Sequence, residues 1–132
     1  MGQWVSSNHN NADEYMGSGL PFAEGAIACA NGVGRSVNFP YVTRWVQIFN
    51  NHGSNALRVG FTKNGVEGNP NNNYFVIKAG ESSARLELKC IQIWLAGDSG
   101  ASTASVVAAY TNIPKTKYVP ELSGSSDFQG VG

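Results

Sequence analysis

Residues 56–62 read ALRVGFT, with Leu57, Val59 and Phe61 alternating with Arg58, Gly60 and Thr62. An extended backbone sends successive side chains to opposite faces, so strict alternation predicts a half-buried strand. The same kind of short segment recurs along residues 25–113: GAIACA (25–30), RSVNFPY (35–41), TRWVQIFN (43–50), NYFVIKAG (73–80) and ASVVAAYTN (104–112). Between them lie NGVG (31–34), NHGSN (51–55), GESS (80–83) and GDSGAST (97–103), the composition of tight turns. Asn31-Gly32 is a hairpin signal, because both residues tolerate the positive φ such turns need. It predicts that the first two strands pair with each other.

ARLELKCIQIWLAG (84–97) is too long for one strand of constant parity. Leu86, Leu88 and Cys90 share one phase, while Ile91, Ile93 and Leu95 share the other. A slip of one residue exchanges the two faces of a strand. The pattern therefore predicts a bulge or a sheet-switching corner near Cys90–Ile91, with strands of about 84–89 and 91–96. The count becomes eight short strands, and no segment carries a helical stripe. Regular short strands separated by turn residues imply an all-β fold. We expect a single eight-stranded antiparallel jelly-roll sandwich over 25–113. Residues 1–24 and 114–132 have isolated apolar anchors and no period. They read as extended N- and C-terminal arms, with Trp4, Tyr15, Tyr118 and Phe128 as the side chains suited to docking on a neighbour.

Composition narrows the function. The 132 residues suffice for one domain with one core. Charged residues make up 14%, against a usual ~25%, and nine Lys and Arg balance nine Asp and Glu. The basic residues are scattered, without the clustered footprint that phosphate contacts require, so no direct nucleic-acid partner is expected. No apolar run approaches the ~18 residues of a membrane span. A neutral chain has little self-repulsion to keep it monomeric. Cys29 and Cys90 lie in apolar runs and read as buried free thiols, with a disulfide as the alternative. The start MGQWVS fits a myristoylation pattern at Gly2, but an ordinary initiator followed by Gly is the favoured reading. There is no signal-peptide form at the start and no Asn-x-Ser/Thr sequon, so synthesis in a reducing cytoplasm is expected.

The segment FTKNGVEGNPNNNYF (61–75) is the richest in polar groups. As a calcium loop it offers a single carboxylate, Glu67, where several are usual. As a saccharide loop it offers the amides of Asn69, Asn71, Asn72 and Asn73, each both donor and acceptor, beside Tyr74 and Phe75 for stacking. As a plain turn it supplies Asn and Gly for positive φ and Pro70 for stiffness. Catalytic constellations are wanting: His9 and His52 are the two histidines, no Gly-x-Ser-x-Gly occurs, and NGVGR (31–35) opens no helix that would hold a phosphate. No enzyme activity, catalytic residue, metal ligand or cofactor is expected. Trp45 and Trp94 each fall within a strand. If the Leu/Ile parity faces the core, Trp94 faces outward and marks an interface or a ligand platform; the alternative is a strand covered on both faces.

FPYVTRWVQIFNN (39–51), LRVGFTKNGVEGNPNNNYFVIKAG (57–80), RLELKCIQIWLAGDSG (85–100) and VVAAYTNIP (106–114) together resemble small single jelly-roll proteins of virus particles. The likeness is to vertex (penton) proteins of large icosahedral DNA viruses and to similar structural proteins of tailed phages. It implies a capsid subunit in the virion that assembles as a homopentamer and contacts neighbouring capsid proteins. It carries over no functional residue. A carbohydrate-binding sandwich module and a phage tail or decoration protein are the alternative readings.

Overall fold

A computed structural model describes residues 20–114 of the chain. Seven strands form two antiparallel sheets: β1 (Pro21–Cys29), β2 (Arg35–Asn38), β3 (Tyr41–Asn50), β4 (Ala56–Gly60), β5 (Tyr74–Ile77), β6 (Gln92–Asp98) and β7 (Ser102–Pro114). One short helix, α1 (Lys63–Glu67), lies between β4 and β5. The order is β1-β7-β3 in one sheet and β2-β6-β4-β5 in the other. Their facing sides hold the core, in which Ile27, Val46, Ile48, Leu57, Val59, Ile93, Leu95 and Val106 are almost fully buried. The all-β sandwich expected from the alternation is present.

Three expectations change. Asn31 and Gly32 do form a turn, with Gly32 at φ 69°, but it is not a hairpin. β1 pairs with β7 and β2 with β6, so the turn carries the chain from one sheet to the other. The first strand begins at Pro21, inside the segment read as an arm. Phe22 explains this, because its ring packs edge-on against Phe39 at 5.1 Å and beside Tyr110 at 6.0 Å. Finally, residues 84–89 form no strand, which leaves seven among the described residues and not eight. Residues 82–86 touch β3 through single bridges, Leu86 with Val46 and Ser82 with Phe49. Their polar groups are met irregularly: Ser83 donates its N–H to the Ile48 carbonyl while its Oγ accepts from the Ile48 N–H.

The break between 84–89 and β6 falls where the parity flips. Thr43, fully buried, holds it. Its Oγ1 donates to the Leu88 carbonyl at 2.7 Å and accepts from the Cys90 N–H at 3.1 Å. The Thr43 N–H donates to the Cys90 carbonyl, and the Phe39 N–H to the Ile91 carbonyl. One hydroxyl thus satisfies both sides of the corner. Leu86 and Leu88 then pack on the core from the β3 side, and Ile93 and Leu95 from the opposite sheet.

Both ends of the described chain leave the sandwich at the same end. Pro21 pairs with Ala109, five residues before Pro114, and Pro114 pairs with Tyr41, the first residue of β3. Tyr110 sits between them, and its N–H donates to the Leu20 carbonyl.

Candidate functional site

The polar segment after β4 is more ordered than its composition implies. Thr62, in extended conformation, caps α1: its Oγ1 accepts the Gly65 N–H at 2.9 Å. Gly68, at φ 78°, ends the helix in the left-handed region, and its N–H bonds to the Asn64 and Gly65 carbonyls. A polar threonine before the helix and a glycine after it are start and stop signals legible in the sequence. The five-residue length kept any apolar stripe from showing.

α1 covers the outer face of the β2-β6-β4-β5 sheet. Val66 is fully buried there, over Gly60, Gly34 and Trp94; a Cβ on Gly60 would lie 3.1 Å from that of Val66. Trp94 is therefore half-buried under the helix, with its Nε1 donating to Gln92 Oε1 at 2.9 Å. Of the two readings of this residue, the strand covered on both faces is the one observed. Glu67 ties the helix to the preceding turn. Its Oε2 accepts the Gly34 N–H at 2.7 Å and lies 3.0 Å from the Lys63 ammonium. The Gly34 bond, aided by Lys63, holds the Glu67 carboxyl below its ordinary value.

Beside α1 an open hollow of about 340 Å³ is lined by Val59, Phe61, Asn72, Asn73, Tyr74 and Phe75. Val59, Phe61 and Phe75 belong to the inward phase of β4 and β5, at the edge where the core ends. Tyr74 lies on the outer phase, held by the Arg58 guanidinium 4.5 Å from its ring centroid. Arg58 in turn donates Nε to Asp98 Oδ1 at 2.9 Å. The fold thus brings together Asn72, Asn73 and Tyr74 of the candidate loop. Asn69 and Asn71 are exposed and lie outside the lining. Their backbones shape the loop: the Asn69 N–H donates to the Asn64 carbonyl and the Asn73 N–H to the Asn71 carbonyl. Phe61 and Arg58 were not anticipated at this site, although the alternation of β4 already places Phe61 with Val59. Trp4, His9, Tyr15, Tyr118 and Phe128 lie outside the described residues.

A second hollow, about 440 Å³, lies at the opposite end, lined by Ala28, Cys29, Ala30, His52, Ala101, Ser102 and Thr103. It joins a cysteine and a histidine, but neither is arranged for nucleophilic chemistry. His52 Nδ1 accepts the N–H groups of Ser54 and Asn55 at 3.1 and 2.9 Å, closing its own turn. The Cys29 thiol is buried and donates to the Ile27 carbonyl. Burial pushes its pKa up to about 11, and burial likewise raises that of Cys90. A reactive thiol needs the opposite shift. Among the described residues no cluster of three His, Cys, Asp or Glu side chains is placed to hold a metal.

The thiols give a pH prediction. The unfolded chain loses its thiol protons near pH 9, whereas folded Cys29 keeps its own until about 11. Between those values the unfolded state binds fewer protons, so stability falls as pH rises. Urea midpoints should be flat from pH 7 to 8.5 and drop from pH 9 to 11. Iodoacetamide at pH 8 should label neither cysteine in the folded protein; rapid labelling of Cys29 would contradict its burial.

No protein-family model, curated protein or solved structure matches this chain. The described residues contain no helix long and apolar enough to cross a membrane.

Proposed function

We propose that this chain is a structural subunit of a virus particle, a single jelly roll that assembles as a homopentamer at the capsid vertex and contacts neighbouring capsid proteins through its terminal segments. The observation that carries the reading is the strand order. β1-β7-β3 faces β2-β6-β4-β5, and residues 82–86 bridge to the outer edge of β3, where a fourth strand of that sheet would lie. Counting that segment gives four positions in each sheet and eight in all, the number in a two-sheet jelly roll, which supports this reading. The sequence resemblance points the same way. The subunit works by shape: a rigid wedge with few ionic groups, whose two chain ends leave together beside the Phe22, Phe39, Tyr41 and Tyr110 cluster. Docking of Trp4, Tyr15, Tyr118 or Phe128 on a neighbour would occur from that end. Removing residues 1–19 or 115–132 should abolish incorporation into particles while leaving the sandwich folded. Unchanged incorporation of both truncated chains would refute a role for the arms.

A second reading, a carbohydrate-binding module, is favoured by one feature: the hollow that joins two amides with Phe61, Tyr74 and Phe75. Aromatic surface beside amides suits a sugar ring. Saturable glycan binding lost in Asn72→Ala would support it, and an empty glycan array would remove it.

A further inference from the structure

An open β-strand edge exposes a row of backbone donors and acceptors, and proteins that do not use an edge protect it. The two sheets here have four edges, treated differently. β1 starts at Pro21 and its register slips between Glu24 and Ile27, with Ala26 at φ 54°. The outer side of β3 is met by Ser82 and Leu86. β2 and β5 keep regular register, with no bulge and no proline, and no described strand lies beyond either. They are the two edges of the same sheet. β5 also carries two of the exposed large apolar side chains, Phe75 at 37% and Val76 at 45%, and Val33 at 54% stands just before β2.

Their directions and lengths match. β2 pairs antiparallel with β6, β6 with β4, and β4 with β5, so β2 and β5 run in opposite senses. Each is four residues long. A rotation about an axis roughly along the strands preserves those senses, and it sets β5 of one copy antiparallel to β2 of the next. Full overlap places Ser36 opposite Val76, Val37 opposite Phe75, and Asn38 opposite Tyr74. The faces agree: Ser36 and Gly60 both pair with Trp94, and Gly60 pairs with Tyr74, so Ser36, Tyr74 and Val76 share the outer face. Val37 and Phe75 share the inner one.

We infer that the occupant of the β5 edge is the β2 edge of a second copy of this chain, so that the four-stranded sheet runs on from subunit to subunit around a ring. The inference rests on the proposed homopentamer and names its contact. Such a contact is heterologous, and a rotation that closes turns it into a ring without leaving a free edge.

The test uses the full-length chain with Ser36→Cys and Val76→Cys, singly and together. Residues directly opposite in an antiparallel pair have Cα atoms roughly 4.5–5.5 Å apart, within disulfide range. Cys29 and Cys90 are buried and free, and so do not compete. Mild oxidation of the double variant should give a covalent ladder ending in the closed ring, while each single variant stays uncrosslinked. Val76→Lys, at an exposed position, should fold normally and reduce the solution mass to one chain. If the Val76→Cys variant alone yields disulfide dimers, β5 pairs with itself and the inference falls. If no variant crosslinks and Val76→Lys keeps the wild-type oligomer, the ring uses another flank and the inference also falls. A wild-type mass of one chain removes the ring itself.

Discussion

Replacing Gly97 with alanine should destabilise the fold by at least about 3 kcal/mol, more than any surface change in the molecule. Gly97 is buried in β6, where three backbone segments converge. Its N–H donates to the Ala30 carbonyl at 2.9 Å, and its own carbonyl accepts the Gly32 N–H at 2.9 Å. A methyl group there would overlap the Gly100 carbonyl oxygen and would stand 3.1 Å from both Ala101 Cα and the Cys29 carbonyl oxygen. These neighbours are backbone, so no rotamer relieves the overlap. The turn between β6 and β7 would have to move, and with it the crossing between the sheets at Asn31. Urea unfolding of Gly97→Ala should show the midpoint falling while the cooperativity holds. A loss under 1 kcal/mol would mean that this convergence is looser than described.

Asn50→Ala comes next, at about 3–5 kcal/mol. Asn50 is 1% exposed, and its side chain makes four hydrogen bonds. Nδ2 donates to the carbonyls of Asn55 at 2.9 Å and Ile77 at 3.0 Å. Oδ1 accepts from the His52 N–H and from Ser102 Oγ, both at 3.0 Å. The amide therefore ties the turn after β3 to the ends of β5 and β7. Truncation leaves buried groups without partners, each worth roughly 1–3 kcal/mol, and opens a small cavity. Asn50→Asp tests the mechanism separately. It keeps the shape and both acceptor contacts but turns an oxygen toward two carbonyls. It should also be destabilising, and less so at low pH, where a protonated carboxyl regains one donor. Equal stability of Asn50→Asp and wild type at neutral pH would show that the donors contribute little.

These two residues mark the limit of what the sequence made legible. Alternation in 56–62 and the parity flip at Cys90–Ile91 follow from a two-residue period that core burial enforces, so the two-sheet fold could be read directly. The pairing could not. Asn31-Gly32 has the chemistry of a hairpin turn, yet its strands go to different sheets, because local turn preference says nothing about which distant strand supplies the hydrogen bonds. Residues 84–89 alternate like a strand but meet β3 through side chains and a single bridge. The pattern recorded their half-buried face and not their ladder. Asn50 and Gly97 gave no signal, since their importance lies largely in contacts far away in sequence: Asn50 with Ile77 and Ser102, and Gly97 with Ala30 and Gly32. At the candidate site, the Asn and Tyr side chains were evident from composition. Phe61, Arg58 and the cover of α1 over Trp94 needed the fold.

The edge strands β2 and β5 were likewise invisible until the sheet order was known, and on them the account of function turns. Native mass spectrometry of the full-length chain, over a concentration series and without fixation, measures it most directly. A closed ring of five 14.0 kDa chains predicts a species of about 70 kDa that persists on dilution to the low micromolar range. A single 14.0 kDa species at every concentration would contradict the claim that this sandwich is built to be one wedge among several.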